Sequence, residues 1–100
     1  PPEKVPRVEA YAYPNPFSPS VDRFVRIRYK LEHDERVEIR IFDFAMNLVR
    51  SLNDEQQNSG EREVSWDGTD NNGARVANGA YFYAIEAGGE TFWGKVLVLE

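Results

Sequence analysis

The sequence predicts an all-β fold, an antiparallel β-sandwich of about seven strands. Three observations carry that prediction. Apolar and polar residues alternate with period two along most of the chain. Clusters of Gly, Asn, Asp and Pro interrupt the alternation at short intervals. No segment is long enough to supply the crossover helices that a parallel sheet requires.

Taken in order, residues 1–7 (Pro1-Pro2-Glu3-Lys4-Val5-Pro6-Arg7) hold three of the six prolines. They read as a semi-rigid linker arriving from an upstream domain, because proline fixes φ and removes a backbone donor. The sandwich is expected over residues 8–100. Val8, Ala10 and Ala12 alternate with Arg7, Glu9 and Tyr11 in a first strand. Val25, Ile27, Tyr29 and Leu31 alternate with Arg26, Arg28 and Lys30, and Val37, Ile39 and Ile41 with Glu38 and Arg40; both patterns are those of half-buried strands. Leu48–Leu52 and Glu63–Trp66 read as short strands. Ala80–Ala87 and Thr91–Leu99 read as two long apolar-aromatic strands joined through Gly88-Gly89, a hairpin pair. Glu32–Arg36 is a polar connector. Asn58-Ser59-Gly60, Asp67-Gly68, Asn71-Asn72-Gly73 and Asn78-Gly79 supply turns, since Asn and Gly tolerate positive φ. Asp54–Gln57 has a helix-friendly composition but is too short to stand alone.

Composition narrows function. One hundred residues allow a single domain, and 41% apolar residues with 13% aromatics suffice for a core. The net charge of −5 argues against duplex nucleic acid or an anionic membrane as partner. There is no cysteine, which removes disulfides, thiolate metal sites and thiol catalysis. No apolar run approaches the ~20 residues of a membrane helix, so no membrane insertion is expected.

Few residues invite chemistry. Asp67-Gly68-Thr69-Asp70-Asn71-Asn72-Gly73 is rich in oxygen ligands, as calcium loops are, but EF-hand spacing would put Gly68 where a carboxylate is needed. Asx-turns by Asp67 and Asp70 account for the composition equally well. The single histidine, His33, lies in a charged connector with no serine near it, so no nucleophile–base pair is apparent. The seventeen acids fall mostly on polar strand faces and in connectors. Gly88-Gly89 lacks the context of a phosphate loop. Arg26, Arg28 and Lys30, beside Arg40, would form a basic stripe paired across strands with acids such as Glu38. No cofactor is called for, and no metal. The strand from Ala80 to Ile85 is apolar on both faces, with Tyr81, Tyr83 and Ile85 on one side and Ala80, Phe82 and Ala84 on the other. Phe92 and Trp93 also face opposite ways. Either loops cover the second face or aromatics are exposed there, with Phe82 and Trp93 the candidate ligand-facing rings.

The landmarks together carry a family resemblance. Tyr13-Pro14-Asn15-Pro16-Phe17 opens the domain. Ile41-Phe42-Asp43 precedes a turn and Leu48–Leu52. Gly60 leads to Val64-Ser65-Trp66-Asp67-Gly68, then Asp70, Gly73, Val76 and Gly79-Ala80-Tyr81-Phe82-Tyr83. Gly94-Lys95-Val96-Leu97-Val98-Leu99 closes it. From Tyr13 to Leu99 the chain resembles the immunoglobulin-like domain of the flagellar hook-capping protein. It is similar also to the C-terminal sorting domains of type IX secretion substrates in Bacteroidetes-like bacteria. The resemblance implies an immunoglobulin-like, fibronectin III-like sandwich in which Trp66 plugs the core and Asp67-Gly68 turns the chain after it. Tyr81 is then expected at a tyrosine corner, with Tyr83 filling the position of the disulfide cysteine of antibody domains. The motif residues are thereby assigned to stability rather than activity.

Two departures stand out. The family usually has glycine in the turn after Ile41-Phe42-Asp43; here Ala45-Met46-Asn47 stands instead, and Asn47 is expected to take the left-handed conformation. The Lys95–Leu99 run matches the apolar part of the tail that ends the sorting domains, its final basic residue being missing or trimmed, while the long loop after Trp66 looks more like the hook-capping type. The functional expectation is a non-catalytic C-terminal module of a larger exported bacterial protein, secreted or at the cell surface, serving secretion sorting, surface attachment or extracellular assembly. Its expected partners are the upstream domain of the same polypeptide and the secretion machinery or a surface protein. The alternative expectation is an accessory carbohydrate-binding module of a secreted glycan-degrading enzyme, stacking sugars on Trp93 or Phe82.

Overall fold

The computed structural model describes residues 10–100. Residues 1–7, read as a linker, and Val8, read as the start of the first strand, lie outside the described residues. Seven strands and one short helix follow in order: β1 (Ala10–Tyr13), α1 (Pro19–Asp22), β2 (Val25–Leu31), β3 (Glu35–Phe42), β4 (Leu48–Gln57), β5 (Gly60–Trp66), β6 (Gly79–Ala87) and β7 (Glu90–Val98). They form two antiparallel sheets, β1-β2-β5 and β4-β3-β6-β7. The all-β, immunoglobulin-like sandwich expected from the sequence is the fold observed.

Period-two alternation decides what faces inward. β2 buries Val25, Ile27, Tyr29 and Leu31; β3 buries Val37, Ile39 and Ile41; β6 buries Tyr81, Tyr83, Ile85 and Ala87; β7 buries Val96 and Val98. Phe17 and Trp66 complete this core. Burying such side chains contributes ~1.5–3 kcal/mol each before chain entropy is set against them. Two register shifts between β3 and β4, at Ile39/Arg40 and Ile41/Phe42, add one residue each to β4. The extra residues are Leu52 and Val49, and both pack against the core from an edge strand.

Four sequence expectations need correction. β4 does not stop at Leu52: Asp54, Glu55 and Gln56 pair with Glu38, Val37 and Arg36, and the buried Gln57 accepts a hydrogen bond from the Tyr29 hydroxyl at 2.6 Å. Tertiary pairing thus overrides the helix-friendly composition of Asp54–Gln57. β5 begins at Gly60, opposite Leu31, rather than at Glu63. A helical turn appears at Pro19–Asp22, with Pro at its start and the Ser18 amide bound to the Asp22 carboxylate at 2.8 Å. Finally, the basic stripe does not extend to Arg40. Arg26, Arg28 and Lys30 lie in the three-stranded sheet opposite Ser65, Glu63 and Glu61, and Arg28 pairs with Glu63 at 3.5 Å. Arg40 and Glu38 belong to the other sheet, where Arg40 sits between Glu38 (2.9 Å) and Glu86 (3.3 Å).

The sandwich has two unlike ends. At one, β1 begins and the β2–β3, β4–β5 and β6–β7 connections turn, lined by Glu32, His33, Asp34 and the Gly88-Gly89 hairpin. At the other lie the Pro14–Phe24 segment, the β3–β4 turn, the long 67–78 loop and the C-terminal residues.

Candidate functional site

The Tyr13–Phe17 motif is a seam between the sheets. β1 pairs with β2 in the three-stranded sheet, and Phe17 then bridges in parallel to Val98 on the edge of the four-stranded one. Between them the peptide bonds preceding Pro14 and Pro16 are cis. Asn15 acts as a strand residue with its side chain. Its amide nitrogen donates to the Lys95 carbonyl at 3.0 Å, and its amide oxygen accepts from the Leu97 N–H at 2.9 Å. Phe17 continues the pairing through Leu97 O (2.7 Å) and Leu99 N (2.9 Å). The motif therefore occupies half of the β7 edge.

Trp66 is 1% exposed. Its ring lies 6.2 Å from that of Phe17 and 5.6 Å from that of Tyr81, and its indole N–H donates to Thr69 O at 2.8 Å. The Tyr81 hydroxyl donates to Ala77 O at 2.6 Å, four residues back, which is the geometry of a tyrosine corner. Burial pushes the Tyr81 and Tyr83 phenols above the usual tyrosine pKa. Tyr83 stands opposite Gly94, and a Cβ on Gly94 would fall inside the Tyr83 ring. Gly68 is required for two reasons: its φ is +79°, and a Cβ there would meet Pro19 at 3.0 Å and Phe17 at 3.3 Å.

The oxygen-rich loop spends its carboxylates on its own backbone. Asp67 Oδ1 accepts from the Thr69 amide (3.1 Å) and hydroxyl (2.5 Å), and Asp70 Oδ1 from the amides of Asn72 and Ala74, both at 2.9 Å. Gly73, at φ +83°, donates its amide to Asp70 O at 3.0 Å. The loop docks on the edge of β4 through Asn71, whose N–H donates to Val49 O while its side chain accepts from Ser51 N. Arg50 holds it from below through Thr69 Oγ1 and Asp70 O. Among the described residues no group of three or more His, Asp or Glu is arranged to hold a metal ion. Gly79, at φ +155°, opens β6 opposite Val98. His33 is exposed at the opposite end of the sandwich.

The outer faces remain. On the three-stranded sheet, Tyr11 and Tyr13 stack at 5.8 Å beside the Arg26–Arg28–Lys30 row. The Tyr11 phenol holds the Arg28 guanidinium above its ordinary pKa. On the four-stranded sheet, Phe82 is half-buried between Phe42 and Lys95, and Trp93 is 53% exposed. Trp93 lies opposite Ala84 with its ring 5.5 Å from Phe42, which in turn lies under the Arg40 guanidinium at 5.5 Å. This layer leaves Ala84 only 1% exposed although it faces outward.

The β3–β4 turn is the feature that sequence reasoning misjudged. Met46, not Asn47, takes the left-handed conformation, with φ +66°. Asn47 is used otherwise: the Asp43 carboxylate accepts the amides of Ala45 and Asn47 at 2.9 Å each and the Asn47 side chain at 3.3 Å. Those bonds, the Asn47 amide foremost, hold Asp43 below the usual carboxylate pKa. A non-glycine residue at such a φ costs ~1–2 kcal/mol. The turn so fixed projects Phe44, 82% exposed. The run Phe42-Asp43-Phe44-Ala45-Met46, with apolar residues continuing past a strand end into a turn, was the available signal.

Comparison with known proteins follows the same geometry. The model of a family described as the FlgD Ig-like domain matches residues 22–90. No curated protein matches the sequence. Among solved structures, PorZ, an essential bacterial surface component of the type-IX secretion system of Porphyromonas gingivalis, aligns with a TM-score of 0.64 and 26% identity, over 91% of this chain and 11% of that one. Dimeric latent PorU from the same organism aligns with a TM-score of 0.70 and 24% identity, over 92% of this chain and 9% of that one. FlgD from P. aeruginosa aligns with a TM-score of 0.62 and 23% identity, over 74% of this chain and 60% of that one. The chain thus spans about a tenth of the two secretion proteins and less than two thirds of FlgD.

Proposed function

The chain belongs to the FlgD Ig-like domain family, and on that premise we propose that it is a non-catalytic module of a larger exported bacterial protein, serving secretion sorting, surface attachment or extracellular assembly. One observation carries this reading. The chain resembles, at 26% identity over 91% of its length, a tenth part of a protein that works at the bacterial surface in type-IX secretion. The motif residues support it from the side of chemistry. Asn15 clamps a strand edge, Trp66 and Tyr81 plug and corner the core, and Asp67 and Asp70 build a loop. Side chains committed to backbone and packing are not free to bind substrate or move protons. The work of the module then lies in its surface.

Deletion of residues 10–100 from the parent polypeptide tests this. The truncated parent is expected to stay inside the cell or to be lost from the surface while its remaining domains fold and keep their own activities. Peptide mapping of the mature wild-type protein then assigns the role: absence of this segment marks a sorting signal, and its retention marks attachment or assembly. A truncated parent present at the surface in normal amount and normally assembled would overturn the reading.

A further inference from the structure

Two arginines differ from the rest. The guanidinium groups of Arg28, Arg36, Arg40, Arg50, Arg62 and Arg75 each meet a carboxylate or carbonyl oxygen within 3.5 Å. Among the described residues only Arg23 and Arg26 have guanidinium groups without a hydrogen bond or ion pair. They stand on either side of Phe24, at the entry to β2. Arg26 lies opposite Ser65 on one neighbouring strand and Tyr13 on the other, so neither offers it an acid. Beside it is a hollow of about 180 Å³ lined by Tyr13, Pro14, Asp22, Phe24 and Arg26. Both aromatic rings are exposed. Asp22 gives one carboxylate oxygen to the Ser18 N–H and forms no ion pair with Arg26, although both line the hollow. The backbone is strained at the same place. Arg23 has φ +70° and ψ −50°, and the Phe24 N–H closes on Asp22 O at 2.8 Å, the rare and disfavoured form of the γ-turn. That turn brings Asp22 and Phe24, two residues apart, onto one hollow, and strain of this kind concentrates at ligand sites.

We propose that this hollow is a subsite for an acidic sugar, a uronic acid residue of a polysaccharide. Three kinds of group hold such a ring, and all three are present. Tyr13 and Phe24 offer aromatic faces for the apolar face of a pyranose. Arg26 offers a planar fork of donors that matches a carboxylate and that no other group occupies. Asp22 keeps one carboxylate oxygen to accept from ring hydroxyls. A net charge of −5 on the chain does not forbid an anionic ligand. At physiological salt charges are screened over about 8 Å, so the groups at the hollow decide. There Arg23 and Arg26 outnumber Asp22. Farther along β2, Arg28 and Lys30 stand opposite Glu63 and Glu61, so the uncompensated charge stays at the hollow. The inference holds whether the module sorts, attaches or assembles.

Titration of the isotope-labelled 100-residue protein with tetragalacturonate, followed by amide chemical shifts, tests this. Shifts are expected at Tyr13, Phe24 and Arg26, saturating with a Kd between about 10 μM and about 1 mM. Arg26→Gln and Phe24→Ala, both changes of exposed side chains, are each expected to weaken binding by at least about fivefold. Trp93→Ala, on the other sheet, should leave it unchanged. Neutral cellotetraose should bind at least about tenfold more weakly, since it has no carboxylate for Arg26. Absence of shifts at about 10 mM tetragalacturonate overturns the proposal, as does an Arg26→Gln variant that binds like wild type. Equal binding of cellotetraose overturns the acidic assignment. Hexaglutamate shifting the same amides with equal affinity overturns it too, because charge alone would then suffice and the rings would have no part. So does a set of shifts centred on Trp93 that vanishes in Trp93→Ala, which would move the site to the other face.

Discussion

Trp66 and Trp93 each lie against another aromatic ring at about the same distance, 5.6 Å to Tyr81 in one case and 5.5 Å to Phe42 in the other. Yet Trp66 is 1% exposed and Trp93 53%. The difference comes from strand parity rather than residue chemistry. On β5, Trp66 falls on the side facing the opposite sheet, where Phe17 crosses from one sheet to the other and closes over it. On β7, Val96 and Val98 point inward, so Trp93, Lys95 and Leu97 must point outward. An aromatic cluster on the inner face becomes the core. The same kind of cluster on the outer face becomes a surface, covering Ala84 while Trp93 itself stays half-exposed to water.

The comparison breaks first at Trp66. Trp66→Ala removes the largest fully buried side chain and leaves the Thr69 carbonyl without its donor. A loss of ~3–5 kcal/mol is expected, comparable with the whole stability of a small domain, ~5–15 kcal/mol. Circular dichroism should show a chain largely unfolded at 37 °C. A folded variant melting within a few degrees of wild type would mean that the inner cluster is not the keystone its burial indicates.

Gly94→Ala tests the same parity at the neighbouring residue. The new Cβ would occupy the Tyr83 ring, which is 4% exposed and has little room to retreat. Overpacking of this kind costs ~1–3 kcal/mol, read as a lower urea midpoint with an unchanged slope. The double variant Gly94→Ala with Tyr83→Ala should recover part of that loss relative to Tyr83→Ala alone, because the collision is then gone.

The sandwich was legible because burial repeats along the chain: β2 and β3 announce their inward residues in strict alternation. The strand limits were less legible, since Asp54–Gln57 becomes a strand only through partners on β3 and through Tyr29, which lie far off in sequence. The Tyr13–Phe17 motif could be recognised but not explained. That Asn15 replaces a backbone residue on the β7 edge, 80 residues away in sequence, needs the two sheets in place. The exposed face was half legible. Two-sided apolarity in β6 announced that something unusual lay outside, and Phe82 and Trp93 pointed to it. Phe44 and Met46 escaped notice because Asn47 is the residue expected to turn left, whereas its amide and side chain are worth more bonded to Asp43.

Trp93→Ala should contrast with Trp66→Ala in size and in spectrum. Losing a half-exposed ring that packs on Phe42 costs about 1 kcal/mol or less, as surface aromatic pairs do. The remaining fluorescence then comes from Trp66 alone and should shift to the blue of a buried indole. Emission from Trp93→Ala at the wavelength of indole in water would contradict the burial of Trp66 and erase the contrast.

The smallest effect concerns the turn that carries the exposed Phe44. The Asn47 amide, the Asn47 side chain and the Ala45 amide all favour the ionised form of Asp43 and depress its pKa in the folded protein. A depressed folded pKa means that the stabilisation is fully present above the ordinary aspartate value, ~3.9, and is lost as pH falls through the lower folded value. Glu100, bound to Ser20 and Arg75, is shifted the same way and titrates in the same acid range. The total acid loss therefore cannot be assigned to the turn, but a difference between variants can. Asp43→Asn keeps one acceptor oxygen and no charge, so it should be less stable than wild type near neutral pH, with the gap closing as pH falls through and below the ordinary aspartate range. Amide exchange locates the effect: Ala45 and Asn47 should lose protection in acid before the strands that bury Trp66 do. A gap that stayed constant with pH would mean that hydrogen-bond geometry alone, without the carboxylate charge, holds Met46 in its strained conformation.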